Sequence, residues 1–190
     1  MTYNPDIHHR RSIRLREYDY SQCGIYFVTI CSYDNECPFG EIKNWEMLQN
    51  EFGTIVQECW NDISVHFEYV ELDEFIVMPN HVHGIIVIHE PVGRGEVSSP
   101  SPSKPPNPAV KTNRSSHKAT LGKIVAYFKY QSTKKINSIR ETSGNSLWQR
   151  NYYEHIIRNE KSFHAIGEYI RNNPLKWAED EENPLRKKKG

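Results

Sequence analysis

The most informative residues in this 190-residue chain are two histidines one position apart, His81 and His83. They lie in Phe75-Ile-Val-Met-Pro-Asn-His-Val-His-Gly-Ile-Ile-Val-Ile88, which reads as strand, Pro-Asn turn, strand. Successive side chains of a strand point to opposite faces. His81 and His83 therefore share one face, about 7 Å apart at the backbone, and Val82 takes the other. Two imidazoles held on a rigid strand can converge on one cation, and so serve a metal-assisted phosphate or hydrolytic site. Gly84 is expected to leave the space beside them open, and 85–88 is apolar enough for a buried central strand. The same pattern also fits two polar strand residues that face solvent or pair with backbone. His-x-His alone does not separate these readings.

A second group lies near the C-terminus, in Phe163-His-Ala-Ile-Gly-Glu-Tyr-Ile-Arg-Asn-Asn-Pro174. Tyr169 and Asn173 are four apart and share one face of a helix. Tyr169 is offset from the apolar stripe of Phe163, Ile166 and Ile170. A tyrosine hydroxyl can attack phosphorus and form a covalent intermediate, and an amide oxygen one turn on can complete a site begun by two imidazoles. Such a site keeps positions open for water or a phosphate oxygen, and a hard cation, Mg2+ or Mn2+, suits it. Spacing alone equally allows Tyr169 to be a packed or interface tyrosine, one of eleven in the chain.

The elements that must position these residues follow from pattern. Residues 24–31 are β-rich and read as the first strand. The stretch 35–44 is turn-rich. A helix is predicted over about 50–67, where Phe52, Ile55, Val56, Cys59, Trp60 and Ile63 repeat at helical spacing. Strands follow at 69–78 and 81–89. Residues about 90–117 hold six prolines and few large apolar side chains, and read as a flexible insertion. A helix follows with Thr120 as N-cap and a stripe of Leu121, Ile124, Val125 and Phe128. A strand is expected over 148–157, then a helix over 160–172 capped by Asn159 and ended by Pro174. The order matches an α+β, ferredoxin-like βαββαβ fold with a central antiparallel sheet, plus a C-terminal helix carrying the tyrosine. The domain plan is a basic arm (1–22), one domain (23–178) and a charged tail (179–190).

Net charge is zero, but the charges are segregated. Residues 41–80 hold nine acidic residues and one basic; 111–136 hold seven basic and no acidic. Arg10, Arg11, Arg14 and Arg16 cluster in the arm. Segregated basic surfaces fit a polyanion partner, and also fit ordinary solvated faces. Cys23, Cys31, Cys37 and Cys59 have no disulfide-framework or zinc spacing, so four free thiols in a reducing cytoplasm are expected. The first twenty residues lack the apolar core of a signal peptide. No apolar run approaches the length of a membrane span.

Four blocks taken together resemble a known family. They are His9-Arg-Arg-Ser-Ile-Arg-Leu-Arg-Glu-Tyr-Asp-Tyr-Ser-Gln22 leading into Tyr26-Phe-Val-Thr-Ile-Cys31; Val77-Met-Pro-Asn-His-Val-His-Gly-Ile-Ile86; Leu147-Trp-Gln-Arg-Asn-Tyr-Tyr-Glu-His-Ile-Ile-Arg158; and Ile166-Gly-Glu-Tyr-Ile-Arg-Asn-Asn-Pro174. In this order they resemble the single-tyrosine HUH transposases, specifically the REP-associated tyrosine transposase branch. The resemblance implies that His81 and His83 are the metal-binding pair and Tyr169 the nucleophile. It also implies that Asn173 is the polar residue completing the metal site, where related insertion-sequence transposases carry glutamine, and that the Arg-rich arm helps to read DNA beside a hairpin.

The implied activity is metal-dependent cleavage and rejoining of single-stranded DNA near an imperfect hairpin, through a 5′-phosphotyrosine. Tyr152 and Tyr153 are rival nucleophiles. Lys123, Lys129, Lys134 and Lys135 on the 120–136 helix are expected to hold the DNA backbone; Tyr127, Phe128 and Tyr130 could stack bases, although their helical spacing more often means core packing, and Tyr130 is the one to test. The resemblance also suggests a homodimer, in which the tyrosine helix serves its own histidines or those of the other copy. No small-molecule cofactor is expected. A competing reading is a catalytically silent module that binds hairpin nucleic acid. A hydrolase of the His-x-His-x-Asp type is disfavoured because position 85 is Ile.

Overall fold

The protein is described from a computed structural model, which describes residues 23–90 and 119–186. Four strands form one antiparallel sheet: β1 (Gly24–Cys31), β4 (Val70–Val77), β5 (His81–Ile88) and β6 (Tyr153–Ile157), in the order β4-β5-β1-β6. A two-stranded hairpin, β2 (Gly40–Lys43) with β3 (Glu46–Gln49), is inserted after β1. Three helices complete the fold: α1 (Glu51–His66), α2 (Leu121–Arg140) and α3 (Glu160–Arg171). The main sheet and its two crossover helices are the expected α+β, ferredoxin-like arrangement.

The helices start where their first-turn chemistry dictates. The Asn50 side chain accepts from the Phe52 and Gly53 amides, Thr120 from Lys123, and Asn159 from Ser162. Each satisfies amides that have no intrahelical partner. One face of the sheet is covered by α1 and α2. There Tyr26, Val28, Ile30, Val82 and Ile86 pack with Val56, Trp60, Ile63, Ile124 and Phe128. The opposite face carries a smaller cluster, Phe27, Ile85, Ile157 and Ile170, with Phe163 and Ile166 of α3 packed against it. Strand alternation puts His81, His83 and Ile85 on this second face.

Three expectations are corrected here. Gly84 does not open space beside the histidines. Alternation sends it to the helix face, where a Cβ would lie 2.3 Å from a Trp60 ring carbon, so its missing side chain admits the indole. The strand expected over 148–157 is regular only from Tyr153. Trp148 makes a single bridge with Ser32 and buries its ring, its Nε1 donating to Ser132 Oγ at 2.8 Å. The turn-rich stretch also contains β2, whose turn to β3 places Asn44 and Trp45 at φ 50° and 67°.

The arm with Arg10, Arg11, Arg14 and Arg16, and nearly all of the 90–117 insertion, lie outside the described residues. No helix among the described residues is long and apolar enough to cross a membrane.

Candidate metal and nucleophile site

The antiparallel register sets the site. His83 lies opposite Thr29 of β1, which in turn lies opposite Tyr153 of β6. His81 lies opposite Cys31 at the end of β1. Both histidines are buried. Their Nε2 atoms face each other at 3.0 Å.

Each ring is oriented from behind. The Asn80 amide nitrogen donates to the Glu182 carbonyl at 2.6 Å and to the Asn35 carbonyl at 3.5 Å, which turns its Oδ1 towards His81. His81 Nδ1 donates to that oxygen at 2.9 Å, leaving the lone pair on Nε2. His83 Nδ1 shares a 2.8 Å hydrogen bond with Thr29 Oγ1. When Thr29 accepts, both Nε2 lone pairs point to one place, the tautomeric state that holds a divalent cation.

Burial shifts both groups away from charge. It drives the His81 pKa down to about 4, with Asp180 opposing. Burial, and then the neighbouring His81, hold His83 well below its ordinary value. Both rings are therefore neutral near pH 7, the form a metal requires.

Two oxygen donors adjoin the pair. His81, His83 and Asp180 offer ligand atoms within 4.8 Å of one another and could hold a metal ion. Asn173 is buried, and its Oδ1 has no hydrogen-bond partner among the described residues. The donor set thus fits a cation: two oriented neutral nitrogens, a carboxylate and an unsatisfied amide oxygen.

Tyr169 reaches this centre from α3. Its hydroxyl is 3.3 Å from His83 Nε2, its ring is edge-on to Phe27, and it is 42% exposed. Burial raises its pKa first and the Asp180 charge adds to this, while a hydrogen bond with the Asn173 side chain pulls the other way. Both ends of the predicted i, i+4 pair line one cavity of about 580 Å³. Glu179, Asp180, Glu181 and Glu182 line it with Lys176, Thr29 and Tyr153. These acidic residues belong to the stretch expected as a charged tail; a 3₁₀ segment, Asn173–Glu179, brings it back to the histidines, with the Trp177 ring beside His81 and the Glu182 carbonyl accepting from Asn80.

The remaining candidates separate. Tyr153 lines the cavity, whereas Tyr152 packs against the helix-face core beside the Lys129 ammonium. Lys129, expected on a DNA-holding surface, is turned inward. Its Nζ donates to the carbonyls of Gln149, Arg150 and Asn151, and burial lowers its pKa to about 8. Lys135 pairs with Asp62 at 3.6 Å. Lys123 and Lys134 are exposed. The four cysteines are free. Cys31 sits beside Glu182 at the site's edge, where burial pushes its thiol up to about 12.

The spacing of His81, His83, Tyr169 and Asn173 marks them as candidates without any knowledge of the fold. It does not mark Asp180, Asn80 or Thr29. Asp180 carries only the weak signal of an acidic run, and Thr29 reaches His83 through a pairing register that spacing does not reveal.

Fold and site define a ferredoxin-like α+β protein with a two-histidine centre and an adjoining tyrosine. The chain belongs to the same family as an uncharacterized protein of Haemophilus influenzae, 46% identical over 179 residues that span 94% of this chain and 96% of that one. No known family profile matches it. Among solved structures, a REP-associated tyrosine transposase bound to a REP hairpin aligns with a TM-score of 0.56. That alignment covers 86% of this chain and 73% of that one at 18% identity, a likeness of fold.

Proposed function

We propose that this protein is a metal-dependent single-stranded DNA endonuclease and strand transferase that recognises hairpin DNA and uses Tyr169 as its nucleophile. One observation carries the reading: the Tyr169 hydroxyl lies 3.3 Å from a nitrogen of a buried histidine pair whose Nε2 atoms converge at 3.0 Å. The fold shared with a transposase solved on a REP hairpin supports DNA as the substrate.

The chemistry follows from the side chains. The Tyr169 oxygen attacks the scissile phosphorus, and the bond from phosphorus to the 3′-oxygen breaks. This leaves a 5′-phosphotyrosine and a free 3′-hydroxyl. Attack by another 3′-hydroxyl on the same phosphorus reverses the step and joins strands, so one phosphodiester is exchanged for another and no external energy is required. The phenol must first lose its proton; Asn173 favours the phenolate, whereas burial and Asp180 oppose it. His81, His83 and Asp180 would hold Mg2+ or Mn2+, with Asn173 beside them. When bound, such an ion draws charge off the phosphate oxygens. The cavity's own charge argues for this requirement: four carboxylates against one ammonium would repel a phosphodiester.

The test is a covalent-adduct assay. Labelled single-stranded DNA from hairpin-bearing flanks of the protein's own gene is mixed with protein and Mn2+, then run on a denaturing gel. The expected result is an adduct that needs both the metal and Tyr169 and is absent in Tyr169→Phe. An adduct that survives in Tyr169→Phe and disappears in Tyr153→Phe would move the nucleophile to β6. Tight binding with no adduct would favour a silent binding module.

A further inference from the structure

A second concavity, of about 930 Å³, lies between the C-terminal half of α2 and the loop 141–150. Tyr130 and Lys134, one turn apart on α2, form one wall, and Gln149 and Arg150 stand on the other. Tyr130 is 61% exposed, although the other aromatics of α2 are not: Phe128 is buried, and Tyr127 stacks on His66 at 4.0 Å. Neither Lys134 nor Arg150 makes a salt bridge among the described residues, and Glu141 is the one carboxylate lining the groove. The charge here is thus opposite to that of the Tyr169 cavity.

The groove is already built. Asn137 donates to the Asn145 carbonyl at 2.7 Å, and the Thr142 amide donates to the Asn137 carbonyl at 3.0 Å. Lys129 holds the carbonyls of 149–151 from inside. The same loop is stitched to β1, the strand paired with the one that carries the histidines. The Gln149 amide donates to the Cys31 carbonyl at 2.9 Å, and Cys31 is the register partner of His81.

An exposed aromatic face, two cations with no salt bridge among the described residues and a rim of amides and hydroxyls are the chemistry that holds an unpaired nucleotide strand. Ring stacking engages a base, and the cations track phosphates. A duplex hides its base faces and cannot use Tyr130 in this way. We propose that this groove binds single-stranded DNA, with a base stacked on Tyr130 and phosphates on Lys134 and Arg150. The unpaired flank of the substrate would then be held on the same rigid unit as the Tyr169 cavity. The inference rests on the functional reading above for its choice of DNA.

The test uses the full chain in EDTA, where the acidic cavity repels the ligand, and a fluorescein-labelled oligo-dT of about twelve nucleotides, within the usual site size for such grooves, read by anisotropy. Tyr130→Ala should weaken binding on the order of tenfold, and Tyr130→Phe should stay within about twofold because the ring remains. Lys134→Ala with Arg150→Ala should lower the slope of log affinity against log salt by about 1.4, since each single-strand phosphate left without its cation removes roughly 0.7. Wild type that fails to bind, Tyr130→Ala that binds like wild type, or a matched duplex that binds as well as the single strand would each overturn the groove. Failure of the catalytic reading is distinguishable. An adduct with no effect of Tyr130→Ala removes the groove alone; groove-dependent binding with no adduct removes the chemistry alone.

Discussion

His81 titrates far below an ordinary histidine, at about 4, because its ring is buried. In the unfolded chain the same ring takes its proton near 6.5. Between those values the unfolded state binds the extra proton and the folded state does not, so stability falls as pH drops through the window and is level above it. For the metal-free protein the expected loss from this group is on the order of 3 kcal/mol between about pH 6.5 and 4, read from denaturant midpoints across that range. His83, shifted the same way, adds to the slope. His81→Ala should abolish adduct formation and leave hairpin binding within a few-fold; an equal loss of binding would make His81 structural. Between the two oxygen donors, Asp180 carries charge and Asn173 does not. Asp180→Asn should therefore weaken Mn2+ binding more than Asn173→Ala does, by calorimetry, and the reverse order would return the ligand role to Asn173.

Spacing within one element reveals a great deal. His81 with His83, and Tyr169 with Asn173, are legible because periods of two and near four put each pair on a common face. Contacts between elements are not legible. Asp180 arrives by the fold-back of 173–179, and Thr29 by strand register.

At the scale of elements, helices with a cap and a stripe are readable to within a residue or so, as for α1 and α3, whereas α2 starts where Thr120 caps it but runs four residues past the expected 136, to Arg140. The β2–β3 hairpin is not: its strands are four residues long and only half apolar or glycine, and its turn uses Trp45 at positive φ, where Gly or Asn would have signalled it. The irregular 148–152 stretch depends on Lys129, which donates to three carbonyls and acts as an internal strut. Lys129→Met should lower stability by about 1–3 kcal/mol, because three backbone carbonyls lose one charged donor, and a thermal melt reads it. Gly84→Ala should be worse than an ordinary strand substitution. The added methyl meets the Trp60 ring, itself stacked on Phe75 at 4.3 Å, and overpacking of this kind costs about 1–3 kcal/mol.

Across the whole molecule, charge and packing are both divided. An acidic cavity lies on the α3 face of the sheet, and a cation-bearing groove is built from α2 and the loop stitched to the end of β1. Sequence composition shows the segregation of charge but not that an acidic stretch returns to the histidines, since nothing in an acidic run says where it folds. The inequality of the two apolar layers has a dynamic consequence. The helix holding Tyr169 rests on a small cluster and on the Arg171–Glu74 pair, whereas β1 and β5 are clamped between both layers. Partial opening follows the weaker layer, so α3 should detach as a unit at a free energy below that of global unfolding. Native-state amide exchange should show two tiers, with the amides of 163–171 exchanging well before those of 26–30 and 82–86. A single tier would mean that nucleophile and histidines part only when the whole chain unfolds. Two tiers would give the tyrosine a reversible excursion of its own, in which the hydroxyl leaves His83 while the paired imidazoles stay in place.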